Sequence, residues 1–279
     1  MRPAAAKRMD DSHRSFTKLF QENCNRHRPH AVFSDFCEMA ALAVSNSVDL
    51  GQRQGREERY LQIANGYERP ELDRFAQMLG CVVEALEDGM HDCLGRLFMA
   101  LEMSNHWKGQ YFTPWELSCL MARMTLTDAR PQIEARGFVT ISEPAAGAGA
   151  MVIAMAEVLR EQGFNYQKCM HVRAVDVDPT AAHMCYLQLS LLHVPAVVIV
   201  GNSLTLEERS HWYTPAHFMG GWARKLRDRQ AITDVHDLLM PPPAEAAAAI
   251  EQAKSQASTE LAVSPEATQH APMLQADLF

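Results

Sequence analysis

The residues best suited to chemistry are a glycine-rich turn and an acidic residue that follows it in the chain. The turn, Glu143-Pro144-Ala145-Ala146-Gly147-Ala148-Gly149, comes after a short apolar run and before a helical stretch. Its glycines stand where the backbone must bend tightly and approach a ligand, so a side chain at Gly147 or Gly149 is expected to occupy the ligand's space. Asp176 ends the next apolar run, where a carboxylate can accept both hydrogen bonds of a ribose diol. Together these features predict an adenosine-binding crevice.

A simpler interpretation of the turn stays open. The glycines could make a strand-to-helix turn and nothing more, with Asp176 capping the next loop. The dinucleotide-binding form of the motif has a third glycine near position 152, where this chain has Val152. The sequence therefore argues against a nicotinamide cofactor.

Apolar runs around these residues predict the elements that position them. Three short runs are rich in β-branched residues, as buried strands are. They are Phe138 to Ile141, His171 to Val175 and Ala196 to Val200. Helical stretches follow the first two runs, one from Met151 to Leu159 and one after the helix start at Asp178-Pro179. This alternation predicts an α/β fold with a doubly wound parallel sheet.

Composition along the chain suggests four segments. Residues 1–30 are polar and basic and are expected to form an N-terminal arm or a first helix. Residues 31–105 carry apolar side chains at three- and four-residue steps, which predicts a helical domain. Residues 106–240 hold the predicted sheet, and beyond Gly201 the apolar spacing is helical rather than strand-like. Residues 241–279 begin with consecutive prolines, contain few core residues and predict a flexible tail.

Overall composition argues against collagen-like, fully disordered and disulfide-scaffold proteins. Of the 279 residues, 47% are hydrophobic and 22% are charged, which is ordinary for a globular protein with a core. The net charge of −8 argues against general electrostatic attraction to DNA, so a DNA contact would need a local basic face. Seven cysteines without a Cys-x-x-Cys pair predict reduced thiols and a cytoplasmic location.

The sequence predicts neither a membrane segment nor a metal site. The most apolar stretches are too short to span a bilayer and are interrupted by Glu157 and Pro195. His171, His183 and His193 have no regular ligand spacing and no acidic or cysteine partner in the pattern.

The order of the motifs resembles one known family. Gly109-Gln110-Tyr111-Phe112-Thr113-Pro114, followed by the glycine turn, is similar to the modification subunit of type I restriction systems and to related adenine-N6 DNA methyltransferases. Versions of this domain are carried on plasmids and conjugative elements. The resemblance covers roughly residues 105–205. It implies an abbreviated Rossmann-like core behind a helical domain, with S-adenosylmethionine as the cofactor.

The resemblance also implies roles for individual residues. The cofactor-binding residues carried over are Tyr111, Phe112, Thr113, Glu143, Gly147, Gly149, Asp176 and Asn202. The first three would contact the methionine part, the turn residues would wrap the cofactor, and Asp176 would bind the ribose. Asn202 stands where the family usually has an acid near the adenine, and its side chain can still form a hydrogen bond.

The motif that holds the target adenine is missing where the family has it. Active members carry Asp, Asn or Ser, then Pro-Pro and an aromatic residue, after the fourth strand. The nearest segment, Tyr213 to Phe218, lacks the second proline, so Pro215, His217 and Phe218 are weak candidates for catalytic residues. Too few residues separate Val200 from the proline run for the remaining strands. The half of the fold that binds target DNA is therefore predicted to be absent.

Aromatic side chains between His211 and Trp222 precede a basic stretch from Arg224 to Arg229. Such a stretch beside stacking rings could hold nucleic acid. The interpretation that we favour is that the aromatic residues close the edge of a truncated sheet while the arginines are solvated.

Two functions of different classes follow from the sequence. The first is an S-adenosylmethionine-binding protein of the DNA adenine-N6 methyltransferase class, in DNA modification or restriction-modification. Methyl transfer would then need a partner subunit that completes the fold, or an unusual use of residues 214–218. The second is a catalytically inactive methylase-like module, such as an antirestriction decoy or an accessory factor that docks on a protein. Whether the chain is an enzyme stays open at this point.

The C-terminal residues suggest a protein partner. Gln275-Ala276-Asp277-Leu278-Phe279 resembles the peptide with which bacterial replication proteins bind the sliding clamp. Leu278 and Phe279 would fill an apolar pocket from a flexible tail. The alternative is a frayed terminus whose apolar residues are accidental. DNA and the sliding clamp are thus the candidate partners.

Overall fold

A computed structural model describes the backbone of residues 3–101, 112–127 and 129–239, and within these ranges the side chains from residue 11 to residue 231. Contacts divide the chain into one unit that ends at Ala223 and a second that begins at Arg224. The cleft and clusters described below all lie in the first unit.

The described N-terminal residues form five helices. They are α1 (Pro3–Asn23), α2 (Pro29–Asn46), α3 (Arg53–Ala64), α4 (Arg69–Glu87) and α5 (Cys93–Ala100). Helix α1 packs along α4, and its Phe16 makes edge-to-face contacts with Phe33 and Phe36, at centroid distances of 6.5 and 5.3 Å. We expected the N-terminal segment to be either an arm or a helix, and residues 3–23 form a helix.

The rest of the first unit alternates helices and strands. Its elements are α6 (Trp115–Thr125), α7 (Ala129–Arg136), β1 (Val139–Glu143), α8 (Ala150–Glu161), α9 (Tyr166–Cys169), β2 (Met170–Asp176), α10 (Pro179–Leu191), β3 (Ala196–Asn202), β4 (Glu207–Tyr213) and α11 (Pro215–Met219). A last helix, α12 (Trp222–Leu239), runs on into the second unit. The three predicted strands are confirmed.

The four strands form one sheet in the order β1-β2-β3-β4. Strands β1, β2 and β3 are parallel, with Glu143 opposite Ala174 and Asp176 opposite Val200. The carboxyl ends of β1 and β2 therefore lie at the same edge of the sheet. Strand β4 is antiparallel to β3, with a register shift at Val200 and Gly201.

Strand β4 corrects the expectation that residues beyond Gly201 are helical. Its first residues are exposed and polar, so it lacks the apolar pattern by which a buried strand is recognised. Partners elsewhere in the fold hold it in place. Glu208 forms an ion pair with Arg173 of β2, and Arg56 of α3 donates a hydrogen bond of 2.7 Å to the carbonyl of His211.

Helix α10 explains how the helical region joins the sheet. It contacts β2 and β3 as well as α2 and α5, and most of its residues are buried. A helix with neighbours all around has no polar face, which accounts for the nearly uninterrupted apolar sequence from Met184 to Leu192.

The two tryptophans near the end of the first unit, Trp212 and Trp222, belong to the core, as we favoured. Trp212 packs against His183 and Tyr186, and the fully buried Trp222 packs against Phe138 and His171. They close the sheet rather than offer stacking surfaces to nucleic acid.

The predicted α/β fold with a helical N-terminal region is confirmed. The described sheet is not the doubly wound parallel sheet that we expected, because its strands follow one another in a single direction and β4 is antiparallel. Within the described residues, β4 is the one strand that follows β3, and β1 has a strand neighbour on one side. None of the helices in the described ranges is both long and apolar enough to cross a bilayer.

Candidate functional site

A cleft opens at the carboxyl ends of β1 and β2, the edge at which open α/β sheets bind ligands. Its volume is about 640 Å³, which lies within the range of roughly 300–1,000 Å³ of small-molecule sites. Its wall includes the glycine turn, the start of α10, part of α6 and the segment before α6. The predicted cofactor-binding residues that line it are Phe112, Thr113, Glu143, Gly147 and Asp176.

The glycine turn has a backbone conformation that favours glycine. The φ angles of Gly147 and Gly149 are +54° and +98°, in the region where a Cβ atom is strained. The N–H of Gly149 donates to the carbonyl of Ala146 at 2.9 Å, and the N–H of Ala146 donates to the carbonyl of Val175 at 2.9 Å. The second bond fixes the turn to the end of β2, next to Asp176.

The two glycines differ in what a side chain would meet. A Cβ on Gly147 would lie 2.9 Å from Cδ1 of Phe112, on the wall of the cleft. A Cβ on Gly149 would lie 3.1 Å from Sγ and 3.5 Å from Cα of Cys185, a buried residue of α10. The expectation that both side chains would fill the ligand's space is therefore wrong for Gly149, which instead lets the turn pack closely on α10.

Asp176 is held at the cleft by backbone amides from two sides. The N–H of Gly147 donates to its Oδ2 at 2.7 Å, and the N–H of Asp178 donates to its Oδ1 at 2.9 Å. Burial raises the pKa of the Asp176 carboxyl, and these two hydrogen bonds oppose that rise. Each carboxylate oxygen retains another lone pair, so both can accept a hydrogen bond from a ligand.

Glu143 gives the cleft a second carboxyl group. Its Oε1 accepts a hydrogen bond of 3.2 Å from the N–H of Ala145. Burial is the main cause that raises its pKa, and the charge of Asp176 adds to the rise. Two carboxyl groups in one partly buried cleft favour a ligand that carries positive charge, because such a charge relieves their mutual repulsion.

A buried hydrogen-bond network supports the glycine turn from behind. Nε2 of Gln188, on α10, donates to the carbonyl of Ala148 at 2.8 Å and to Oδ1 of Asp92 at 2.9 Å. Its Oε1 accepts from the N–H groups of Cys93 and Leu94, at 2.7 and 3.0 Å. Sequence reasoning missed Gln188. The signal that could have found it is a long amide side chain in the middle of an apolar helix.

The segment before α6 brings aromatic and polar groups to the cleft. Phe112 is half-buried, lines the cleft and packs against Phe98 of α5 at a centroid distance of 5.2 Å. Thr113 also lines the cleft and is exposed. Tyr111 lies outside the described residues, so its role stays a prediction.

The C-terminal residues Gln275, Asp277, Leu278 and Phe279 also lie outside the described residues. Their predicted role in binding the sliding clamp stays a prediction.

Asn202 has a local structural role and does not line the cleft. Its Oδ1 accepts hydrogen bonds from the N–H groups of Leu204 and Thr205, at 2.9 and 3.4 Å. The side chain thereby stabilises the turn that joins β3 to β4. The structure does not bring it together with Asp176 in the cleft wall.

The weak catalytic candidates lie at the opposite edge of the sheet from the cleft. Strand β4 ends opposite the start of β3, where Thr214 exchanges backbone and side-chain hydrogen bonds with Ala196. Helix α11, which carries Pro215, His217 and Phe218, begins there. At about 3.3 Å per residue, the five steps of β2 from His171 to Asp176 separate the two edges by roughly 16 Å. The structure therefore does not bring Pro215, His217 or Phe218 to the candidate site.

His217 has a buried histidine as its partner. Its Nδ1 lies 2.9 Å from Nε2 of His171, and both side chains are buried. Burial, followed by the influence of His217, lowers the pKa of His171 to about 3, and burial lowers the pKa of His217. A neutral pair that shares one hydrogen bond inside the core is a structural feature rather than a base for a substrate.

One family model matches part of the chain. Residues 93–219 match the model of the family described as N-6 DNA Methylase, which confirms the resemblance drawn from the motifs. No curated protein matches the chain.

Two solved structures are similar to the chain at low identity. One is assigned to the class I S-adenosylmethionine-dependent methyltransferases of Listeria monocytogenes, with 15% identity, a TM-score of 0.38, and coverage of 70% of this chain and 55% of that one. The other is the DrdV–DNA complex, with 14% identity, a TM-score of 0.36, and coverage of 72% of this chain and 24% of that one. This chain thus spans about half the length of the first and about a quarter of the second.

Proposed function

We propose that this chain, which carries the N-6 DNA methylase match over residues 93–219, binds S-adenosylmethionine in the cleft and serves DNA adenine methylation. The observation that carries the proposal is the Asp176 carboxylate, which two backbone amides orient beside Gly147 at the cleft wall. A methylase-type function rests on the family match. The choice of cofactor rests on the chemistry of the cleft.

The residues of the cleft fit this cofactor in three respects. Asp176 offers both carboxylate oxygens to the two hydroxyls of a ribose. The negative charge of Glu143 and Asp176 suits a molecule with an ammonium and a sulfonium group. The ring of Phe112 and the methionine side chains Met121 and Met151 supply apolar wall, against which adenine or the methionine stem can pack.

The chain's own residues would bind and orient the cofactor. S-adenosylmethionine supplies a methyl group activated by its sulfonium centre. Asp176 would fix the ribose, and the turn at Gly147 would let the backbone approach the ligand without a side chain between them. Glu143 would hold the ammonium group by a charge-assisted hydrogen bond.

Transfer of the methyl group to adenine needs a second set of groups. The target amine must be held by hydrogen bonds, and the flipped base must be stacked between side chains. Within the described residues, the cleft is lined by no segment of that kind, and the candidates on α11 are at the other edge of the sheet. We therefore propose that a partner subunit completes the methylase, and that this chain by itself binds the cofactor without transferring the methyl group to DNA.

Calorimetric titration with S-adenosylmethionine tests the proposal. The full chain should bind one equivalent saturably. Replacement Asp176→Ala should weaken binding by about 1–3 kcal/mol, since the ribose loses charged hydrogen-bond acceptors. The matched control is Asp73→Asn, an exposed acid on α4 that pairs with Arg69, and it should bind as the wild type does. Equal affinity of the Asp176→Ala protein and the wild type would remove the proposed site.

A further inference from the structure

Three side chains with metal-ligating atoms meet in the helical region, outside the wall of the cleft. His13 lies on α1, His91 lies in the loop before α5, and Cys93 is the first residue of α5. One nitrogen from each imidazole and the sulfur of the thiol all lie within 4.8 Å of one another. The fold thus brings two imidazoles and a thiol close together, although the spacing of these residues in the sequence does not predict a metal site.

The distance between His13 and Cys93 is the one that a shared tetrahedral ion requires. Nε2 of His13 lies 3.6 Å from Sγ of Cys93. Zinc binds nitrogen at about 2.0–2.1 Å and sulfur at about 2.3 Å, and the tetrahedral angle between such bonds puts N and S about 3.6 Å apart. These two ligand atoms therefore need little or no movement to bind one ion.

The hydrogen bond that His91 makes leaves its second ring nitrogen able to bind a metal ion. The side chain is 4% exposed, and Nδ1 lies 2.9 Å from the carbonyl of Gly89. Because a carbonyl only accepts, Nδ1 carries the proton and Nε2 carries a lone pair. That Nε2 is buried and has no hydrogen-bond partner in the described structure. Ligating histidines commonly donate their other N–H to a backbone carbonyl in this way.

We propose that His13, His91 and Cys93 bind one divalent transition-metal ion of the zinc type. Imidazole and thiolate ligands suit zinc and cobalt rather than magnesium or calcium. On binding, the S–H bond of Cys93 breaks and its proton passes to solvent, while sulfur and the two neutral imidazoles each donate a lone pair. No oxidation or reduction takes place.

The site also needs a fourth ligand and a nearby negative charge. A water molecule can reach the fourth position because His13 is only partly buried. A divalent ion with one thiolate leaves one positive charge in the interior. The buried carboxyl of Asp92, which lies close enough to act on the charge of Cys93, offsets it.

The ion would link α1 to the start of α5, which is connected to the glycine turn through Gln188. The N–H of Cys93 donates to Gln188, and Gln188 holds the carbonyl of Ala148 in the turn. The proposal therefore assigns a structural role to the metal, and it stands independently of the proposed function.

Cobalt substitution tests the site in the full chain. The protein is stripped with a chelator and then titrated with Co²⁺. One equivalent should give the intense visible bands of a tetrahedral ion and a thiolate-to-cobalt charge-transfer band, and Zn²⁺ should displace both. In a separate sample, one equivalent of Zn²⁺ should raise the melting temperature.

Single replacements then assign the ligands. Cys93→Ala should abolish the charge-transfer band, and His13→Gln, at a partly exposed position where folding is least at risk, should weaken cobalt binding at least tenfold. The matched controls are Cys169→Ala and His193→Asn, which change a cysteine and a histidine outside the cluster and should leave the spectrum intact.

Two results would overturn the proposal. One is a wild-type chain that binds no Co²⁺ or Zn²⁺ at micromolar concentration, since the three groups would then form only a thiol–imidazole contact. The other is a tetrahedral thiolate spectrum that survives unchanged in the His13→Gln protein. The wild-type titration decides the matter even where the Cys93 variant fails to fold.

Discussion

Gly147 and Gly149 are separated by one residue and have different physical roles. Both have positive φ angles. A Cβ on Gly147 points at the ring of Phe112 in the cleft wall, whereas a Cβ on Gly149 points at Cys185 inside the core. Replacement of the first should disturb the ligand site, and replacement of the second should disturb the packing of the turn on α10.

We expect Gly147→Ala and Gly149→Ala to separate binding from stability. Gly147→Ala should cost about 1–2 kcal/mol of unfolding free energy through backbone strain. It should also weaken cofactor binding markedly, because the ring of Phe112, which lines the cleft, must shift to make room for the Cβ. Gly149→Ala should cost more stability, because its φ angle of +98° lies farther from the left-handed helical region than the +54° of Gly147, and because its Cβ would lie 3.1 Å from the buried sulfur of Cys185. Urea unfolding and titration of the folded fraction measure the two effects. Equal losses of affinity in both variants would contradict the assignment.

The His171–His217 pair should make stability depend on pH. Burial and the neighbouring histidine lower the pKa of His171 to about 3, against about 6.5 for an unfolded histidine. The unfolded chain therefore binds more protons between these values. The stabilisation is complete above pH 6.5 and falls as the pH drops, by up to about 1.4 kcal/mol per unit for one group.

Urea unfolding at several pH values between 7.5 and 5 measures this dependence. His171→Phe should show a shallower decline of unfolding free energy below pH 6.5 than the wild type. His183, whose pKa burial lowers to about 4, should contribute the same sign of dependence in both proteins. A slope that is unchanged in His171→Phe would show that this histidine does not contribute.

At the scale of elements, Gln188 links α10, α5 and the glycine turn. One amide side chain satisfies the carbonyl of Ala148, a carboxylate oxygen of Asp92 and two N–H groups at the start of α5. All of these groups are buried, so removal of the amide leaves several without a partner. The turn's position relative to Asp176 should depend on this side chain.

We expect Gln188→Leu to destabilise the fold by roughly 2–4 kcal/mol, because each unsatisfied buried group costs about 1–3 kcal/mol. Gln188→Glu should be at least as harmful, since a carboxylate cannot donate to Ala148 and repels Asp92. Leu189→Met, a conservative change at the next buried position, should cost less than about 1.5 kcal/mol. Denaturant unfolding compares the three, and a Gln188→Leu loss no larger than that of Leu189→Met would contradict the network's importance.

The sequence predicted those elements whose signal is local. The strands before the turn, before Asp176 and after Pro195 are apolar runs, and five of the eight cofactor-binding residues suggested by the motifs line one cleft. Strand β4 was missed because its polar residues are held by Arg173 and Arg56, which are distant in the chain. Gln188 and the His13, His91 and Cys93 cluster were missed for the same reason, since the fold alone brings their partners together.

At the scale of the molecule, the described sheet carries the cleft at the carboxyl ends of β1 and β2, and within the described residues no segment suited to holding a target base lines that cleft. The cleft is built by β1, β2 and α10. The described residues after β3 form one polar strand and the helices α11 and α12, and α11 lies at the opposite ends of the parallel strands from the cleft. The net charge of −8 adds no general attraction to DNA. These features support the proposal that a partner subunit completes the methylase.

The purified chain alone should therefore transfer no methyl group to duplex DNA. The assay measures incorporation of tritium from labelled S-adenosylmethionine into adenine, at a cofactor concentration that saturates the protein. His217→Ala serves as a check on the sequence-based catalytic candidates, and it should behave as the wild type in this assay. Incorporation by the wild-type chain would contradict the need for a partner, and its loss in His217→Ala would also contradict the placement of catalysis outside α11.

An experimentally determined structure of the chain with S-adenosylmethionine tests the central claim most directly. The two ribose hydroxyls should lie within about 2.5–3.0 Å of the Asp176 carboxylate oxygens, which is hydrogen-bond distance, with the ligand against Gly147 and Phe112. A ligand bound elsewhere on the protein, or one bound in the cleft with its ribose away from Asp176, would contradict the claim.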